Sequence, residues 1–200
     1  MRESIFNTEY QEKSISSKIV IGLERISEAF KALLRQHAKT IGISPIQIQI
    51  LIFITYHKQE LCNVSYLAKE FNVTKPTISD AVKVLIIKNL VKKNLSTTDN
   101  RGYSIIPTNE GTKIVKKTEE YAIPIKNTIN DTAEKELITL YSSVNKLIYK
   151  LNRNGILNVQ RTCYACGFYE IKKRKHFCNL LETDLMDKEI RIDCPEFKTS

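Results

Sequence analysis

Four cysteines near the C-terminus of this 200-residue chain are the side chains whose types and spacing point most directly to chemistry. Cys163 and Cys166 are separated by two residues, and Cys178 and Cys194 follow singly. A C-x-x-C pair lets two thiolates converge on one ion, and two more distant cysteines can complete a tetrahedron around it. The spacing therefore predicts a metal site formed by all four, in a C-terminal module of residues 158–200.

The identity of the metal stays open between two cofactors. Zinc is expected first, because four-cysteine tetrahedra are its common structural site. An iron–sulfur cluster could use the same thiolates, and a cysteine followed by proline, as in Cys194-Pro195, also occurs in ferredoxin-like sites. His176 could replace a cysteine or lie beside the site. The tail has too few apolar residues to fold around its own core, so the metal would be what folds it.

Two other features of this chemistry complete the set of candidates. The basic run Ile171–His176 is expected to be a loop that either contacts phosphate or is simply solvated. A thiol-disulfide oxidoreductase using Cys163 and Cys166 is disfavoured, because no βαβ pattern surrounds the pair and the other two cysteines stay unexplained.

The three histidines are scattered and no glycine-rich phosphate loop is present, so we predict that the chain is not an enzyme. Cys62 lies apart and is predicted to be a small apolar filler.

Composition limits the partners. The formal net charge of +9 and the pI near 9.2 favour a polyanion, either nucleic acid or an anionic membrane surface. The most apolar stretch, Ile41–Tyr56, is interrupted by polar residues and is shorter than the roughly 20 residues of a membrane span. The first thirteen residues have no signal-peptide core. We therefore expect a cytoplasmic protein with no membrane partner, in which clustered cysteines are ligands rather than disulfides.

The elements that position these residues are mostly helical. A long amphipathic helix is predicted over residues 14–39, because apolar residues recur there at three- and four-residue steps. The next helix begins at a capping box, with Ser44 as N-cap, Pro45 in the first position and Gln47 three residues on. The remaining predicted elements are a brief strand at 61–64, short helices at 65–71 and 75–89, strands at 90–95 and 102–107, and helices at 109–128 (bent at Pro124) and 131–152.

Two short helices joined by a tight turn and followed by a hairpin are the elements of a winged helix-turn-helix, in their usual order. Such a fold lays its second helix in the major groove of DNA. Residues 69–117 carry ten basic side chains against four acidic ones, which can supply phosphate contacts. The predicted fold class is mainly α with a small β hairpin, plus a helical dimerisation region and a small C-terminal metal-binding module.

A set of short motifs, each loose by itself, follows one order and spacing. They are Ser44–Gln47, Leu67-Ala68, Thr77–Ser79, Leu85 with Lys88–Val91, Asp99–Arg101 and Pro107–Gly111. With these motifs, residues 44–151 resemble the MarR family of bacterial regulators, which are homodimeric winged-helix proteins. The resemblance implies an Asp-x-Arg wing signature at Asp99–Arg101 and a Thr-x-x-Gly step into the following helix at Thr108.

The resemblance also implies a DNA-binding surface. On the helix and the wing it assigns Lys75, Thr77, Ser79, Asp80, Lys83, Lys92, Asp99 and Arg101. Arg101 would reach into the minor groove, oriented by Asp99. Asp99 and Asn100 could equally be turn residues. Asp80 departs from the basic residue common in the family, and it could accept a hydrogen bond from cytosine or reduce non-specific attraction.

The predicted organisation leads to a function. Residues 14–43 and 129–157 would be dimerisation helices, with an intramolecular bundle as the alternative, and residues 44–128 the DNA-binding domain. Family members often bind small phenolic or lipophilic molecules, so a small-molecule effector is an expected partner besides double-stranded DNA. The predicted function is a homodimeric, sequence-specific repressor or activator with a structural or sensory four-cysteine site. The alternative is a protein-interaction adaptor without specific DNA binding.

Overall fold

The computed structural model describes residues 4–95 and 103–199. Its α-helices are α1 (Thr8–Gln11), α2 (Ile15–Ile41), α3 (Pro45–Tyr56), α4 (Val64–Glu70), α5 (Lys75–Ile87), α6 (Asn109–Thr118), α7 (Ile123–Asn130) and α8 (Glu134–Arg153). Its strands are β1 (Val91–Leu95), β2 (Tyr103–Pro107), β3 (Tyr169–Lys172), β4 (Lys175–Cys178) and β5 (Thr183–Leu185). Short 3-10 helices lie at Gln59–Leu61, Glu119–Ala122, Cys163–Ala165 and Asp187–Glu189.

Local capping determines where the first long helices begin and end. The Ser14 side chain accepts a hydrogen bond from Ser17 N–H at the start of α2. Gly42, whose φ of 71° is left-handed, caps α2 after Ile41. The capping box between Ser44 and Gln47 is present at the start of α3. Both predicted helix starts are confirmed. No single helix of the described residues is long and apolar enough to cross a membrane; α2 and α3 together pass that test but meet at 92°.

The helix-turn-helix consists of α4 and α5, followed by the antiparallel β1–β2 hairpin. Asn72 provides the turn with a positive φ of 53°, and Thr74 caps α5 as predicted. The predicted strand at Leu61–Val64 is wrong. Its backbone contact with β2 is a hydrogen bond from Ile105 N–H to the Cys62 carbonyl (2.7 Å), and the chain then turns directly into α4.

The core lies beneath the helix-turn-helix. Helix α3 is its centre, because both its apolar character and its position between α2, α5 and α6 bury it on several sides. The fully buried side chains of this core include Ile48, Ile50, Leu51, Leu67, Ile78, Leu85, Ile105 and Val115. Helix α5 contributes one face to this core, which leaves its opposite face to solvent.

The region between the hairpin and α8 differs from the prediction of one helix bent at Pro124. Helix α6 ends at Thr118, a 3-10 turn follows, and α7 begins at Ile123. Pro124 lies in the first turn of α7, where its missing N–H leaves no hydrogen bond unmade. The break therefore precedes the proline, because the proline is compatible with starting a helix and not with continuing one.

The C-terminal module contains a three-stranded antiparallel sheet in the order β3-β4-β5, which the sequence did not predict. The basic run at Ile171–His176, expected to be a loop, forms the β3–β4 hairpin. Lys173 and Arg174 make its turn with positive φ values of 48° and 66°. Among the described residues from 158 onward, the buried apolar side chains are Cys163, Cys166 and Ile190. The module therefore has almost no hydrocarbon core of its own.

Candidate nucleic-acid interface and four-cysteine site

Helix α5 presents its polar residues away from the core. Ile78, Ala81, Val82 and Leu85 are buried, whereas Lys75, Thr77, Asp80 and Lys83 are exposed and Ser79 is half-buried. A helix has 3.6 residues per turn, so the exposed residues form one stripe opposite the core. The structure thus brings four of the five side chains expected on this helix to one accessible surface.

Hydrogen bonds organise this surface. The Thr74 hydroxyl accepts from Thr77 N–H (3.3 Å) and lies 2.8 Å from the Thr77 hydroxyl. Lys83 Nζ forms an exposed ion pair with Asp80 Oδ1 at 3.0 Å. Because both side chains are more than 70% exposed, this ion pair is weak and leaves Lys83 able to contact DNA; the sequence interpretation of Asp80 did not include it.

The base of the wing is basic as well. Lys92 is exposed on β1, and Lys93 Nζ lies 4.4 Å from the centre of the Tyr103 ring across the hairpin. Asp99 and Arg101 lie outside the described residues. Their contact with the minor groove therefore stays a prediction.

The four cysteines of the C-terminal module lie in one region. Cys163 begins a 3-10 turn, Cys166 follows its end, and Cys178 ends β4. Burial raises the pKa of the Cys163 thiol, and the proximity of the other three cysteines raises it further. Among residues 4–95 and 103–199, however, no three His, Cys, Asp or Glu side chains are arranged to hold a metal ion. The metal site therefore stays a prediction.

Hydrogen-bond donors surround two of the sulfur atoms. The backbone N–H of Arg191 donates to Cys163 Sγ (3.2 Å), and Arg191 Nη1 donates to Cys194 Sγ (3.6 Å). The backbone donor favours the thiolate form of Cys163, which is the form that binds metals. His176 is engaged elsewhere, since Nδ1 lies 2.6 Å from the Tyr169 hydroxyl and Nε2 lies 3.4 Å from Asp187. This arrangement favours His176 as a neighbour of the site rather than a ligand.

Cys62 is separate from this group. Its side chain is buried in the core, and burial raises its pKa to about 11. Its sulfur lies 3.4 Å from the carbonyl oxygen of Lys58. These features agree with the predicted role as a small apolar filler.

Sequence reasoning missed an ion-pair cluster centred on Arg161. This side chain is only 9% exposed. Its guanidinium donates to both carboxylate oxygens of Glu70 (2.7 and 3.2 Å), to both of Asp193 (2.5 and 2.8 Å), and to the hydroxyl of Tyr66 (2.8 Å). Two bidentate carboxylate contacts on one guanidinium are strong and directional. Because Glu70 and Tyr66 belong to α4, the cluster joins the cysteine module to the helix-turn-helix.

His57 extends the same cluster. Its ring stacks on Phe53 with centroids 3.8 Å apart, and Nε2 lies 2.9 Å from Asp193 Oδ2. The hydrogen bond to Asp193 raises the pKa of His57, against the opposing effect of burial. Arg161 is the main cause that holds the pKa of Asp193 well below its usual range. No local pattern marks these residues, because the partners lie up to 136 residues apart in the chain.

Comparisons with known proteins agree with the fold. The model of the MarR family matches residues 41–102. The S. aureus MepR–DNA complex is similar with a TM-score of 0.58 and 22% identity, covering 66% of this chain and 97% of that chain. The transcriptional regulator PA3341 is similar with a TM-score of 0.60 and 20% identity, covering 68% and 98%. No curated protein matches the sequence.

These findings identify the fold. The fold is the winged helix-turn-helix of MarR-type transcriptional regulators. The family match itself covers the end of α2, helices α3 to α5 and strand β1, together with residues 96–102. The cysteine module lies outside that match.

Proposed function

We propose that this chain is a homodimeric, sequence-specific DNA-binding transcriptional regulator of the MarR type. The observation that carries the proposal is the exposed polar stripe of α5 in a winged helix-turn-helix fold. Lys75 lies in the first turn of α5, where its charge and the helix N-terminus can both attract phosphate. Thr77 and Lys83 follow on the same stripe and can reach base edges and the DNA backbone.

The deciding experiment is selection of binding sites from a pool of random duplexes by the purified protein. We expect enrichment of a sequence with two related half-sites about one helical turn apart, because a helix-turn-helix dimer reads DNA with that spacing. Recovery of no preferred sequence would contradict the proposal and favour the protein-interaction adaptor.

Replacement of Lys75 by glutamine is expected to weaken DNA binding at all sequences to a similar extent. Loss of one phosphate contact lowers the slope of log affinity against log salt by about 1. Titration of the selected duplex at several salt concentrations measures that slope. Lys18→Gln is the matched control, because this lysine lies on α2, outside the proposed interface. Equal slopes for the two variants would remove Lys75 from the interface.

The dimer is proposed from exposed apolar residues at both ends of the fold. Ile15, Ile19 and Ile26 on α2 are 75%, 53% and 51% exposed. On α8, Leu140 and Leu147, seven residues apart, are 50% and 36% exposed. Residues spaced in this way form a stripe along each helix, and burial against a second copy would remove them from water.

Ile19→Glu is expected to convert the dimer to a monomer, because it places a charge in the centre of the apolar stripe. Sedimentation velocity measures the change. The control is Ile171→Glu, which alters an equally exposed isoleucine of the β3–β4 hairpin and should leave the dimer intact. A wild-type protein that sediments as a monomer at all concentrations would favour the intramolecular bundle.

A hollow of about 430 Å³ lies between α2, α3 and the 3-10 turn at Glu119–Ala122. Leu23, Ile26, Phe30 and Tyr121 contribute to its lining. Ser27, Lys31 and Gln49 add polar groups to the lining, and a small lipophilic effector with one or two polar groups would fit this combination.

The cysteine module is proposed to bind zinc through Cys163, Cys166, Cys178 and Cys194. Two structural features support this. The module has almost no apolar core, so metal binding would supply the free energy that folds it. The Arg191 donors to two of the sulfurs would also stabilise bound thiolates. An iron–sulfur cluster is the second candidate for the same ligands.

Elemental analysis of protein purified without oxygen is expected to find about one zinc per chain. Cys163→Ser should lose the metal, whereas Cys62→Ser, which alters the buried cysteine of the core, should retain it. Chelation should abolish the tertiary structure of residues 158–199, as followed by amide hydrogen exchange. Iron with inorganic sulfide would identify the cluster instead, and protein with neither metal would contradict the site.

A further inference from the structure

The cysteine module contacts α8 through Ile190, which is 1% exposed. The carbonyl oxygen of Ile190 accepts hydrogen bonds from the Tyr141 hydroxyl and from Asn145 Nδ2 (3.4 Å), both on α8. Tyr149 of α8 also lies against Tyr164, with ring centroids 6.1 Å apart. The module is therefore attached to the helix that the proposed dimer uses.

The same module contacts the helix-turn-helix on its other side. Arg161 pairs with Glu70 at the end of α4, as described above, and it donates to Tyr66 one turn earlier. Asn158 Nδ2 donates to the side chain of Asn72 in the turn between α4 and α5. The module therefore bridges the dimerisation helix and the DNA-reading unit.

Two chain segments of the module carry both the cysteines and the bridge. Cys163 N–H donates to the carbonyl of Arg191 (3.0 Å), and Cys194 N–H donates to the carbonyl of Arg161 (3.1 Å). Arg161 and Asp193 are thus paired across two parallel segments, each two residues or fewer from a cysteine. The segments are separated by about 30 residues of chain, so holding them together carries a loop-closure cost.

We propose that zinc at the four cysteines controls DNA affinity by holding Arg161 and Asp193 against α4. This inference rests on the metal site and the DNA-binding function proposed above. A metal that joins Cys163 to Cys194 would close the loop between the two segments. It would thereby fix the Arg161–Asp193 pair, whose guanidinium donates hydrogen bonds to Glu70. The helix-turn-helix is then held at one orientation relative to α8. Without the metal that orientation is no longer fixed, and fewer dimers present both α5 helices at the half-site spacing.

Two effects of the metal follow. Zinc is expected to tighten DNA binding by about tenfold, within the range usual for coupling between two sites. Because such coupling is reciprocal, DNA is expected to tighten zinc binding by the same factor. If zinc folded the module without affecting the DNA-binding domain, zinc would not change DNA affinity and DNA would not change zinc affinity.

The experiment uses the full-length chain and the duplex recovered by selection. DNA affinity is measured for zinc-loaded and chelated protein, and zinc affinity by chelator competition with and without the duplex. Glu70→Gln keeps all four cysteines but removes the charged partner of Arg161 on α4. In this variant the effect of zinc on DNA affinity, and of DNA on zinc affinity, should fall from tenfold towards onefold. Lys58→Gln is the matched control, because it breaks an exposed ion pair with Glu196 across the same interface and should keep the full effects.

Hydrogen exchange provides a measurement that does not depend on DNA. Zinc is expected to protect the amides of α4 in the wild-type protein and not in Glu70→Gln. Tyr66→Phe removes one hydrogen bond to Arg161 without altering charge, and it should give an intermediate loss of coupling if Glu70→Gln folds poorly.

The outcomes separate the claims. Equal DNA affinities for zinc-loaded and chelated wild-type protein would overturn the coupling and leave the DNA-binding function standing. If zinc still tightened DNA binding by tenfold in Glu70→Gln, the effect of zinc would not depend on the contact between Arg161 and Glu70. Failure of the site selection would instead overturn the proposed function itself, and protein that binds no metal would overturn the metal site.

Discussion

Replacement of Arg161 by alanine is expected to lower the free energy of unfolding by about 3 kcal/mol. Removal of this guanidinium leaves Glu70 without its cation and leaves Asp193 with His57 as its remaining partner, at the interface between the cysteine module and α4. The value lies at the lower end of the range for buried pairs because Asp193 is 43% exposed. Chemical denaturation of metal-loaded protein, followed by circular dichroism, measures the loss.

A double-mutant cycle isolates the pair from the rest of the cluster. Glu70→Ala and the double variant are measured beside Arg161→Ala, and the double variant should lose clearly less than the sum of the two single changes. Lys58→Ala is the matched control, since its ion pair with Glu196 is about half exposed and should contribute under about 1 kcal/mol. Losses that simply add would show that Arg161 and Glu70 act independently.

Replacement of Gly111 by alanine is expected to destabilise the winged helix by about 3 kcal/mol. A Cβ at this position would lie 2.0 Å from the carbonyl oxygen of Leu90, which is backbone and cannot rotate away. That carbonyl also accepts a hydrogen bond from Thr108 N–H (3.0 Å), so α6 would have to move away from the start of the hairpin. Urea denaturation measures the change, and DNA affinity should fall with it because the wing is displaced.

Gly22→Ala, made in the Ile19→Glu background, is the matched control for this substitution, because Gly22 lies between Ile19 and Ile26 on the stripe proposed for the dimer. Gly22 also lies inside a helix, but among the described residues no atom outside its own stretch of helix lies within 4 Å of the Cβ that alanine would add. Helix propensity then dominates, and stability should rise by about 0.5–1 kcal/mol. A Gly111→Ala protein as stable as the wild type would show that α6 and Leu90 separate at little cost.

Local chemistry accounts for the parts of the fold that the sequence determined by itself. Ser44 and Gln47 are three residues apart, so the capping box that starts α3 can be read directly from the chain. The order of α4, α5 and the hairpin follows from apolar periodicity and from turn residues such as Asn72. The exposed stripe of α5 follows as well, because burial of one helix face dictates which residues form the other.

Contacts between distant segments account for what only the tertiary structure decided. Arg161 and Glu70 are 91 residues apart, and each resembles an ordinary solvated charge in the sequence. The hydrogen bond from Ile105 N–H to the Cys62 carbonyl likewise joins two residues that no local pattern identifies as partners. Periodicity and capping act within a few residues of chain, whereas a buried ion pair forms only after folding brings its members together and removes water from them.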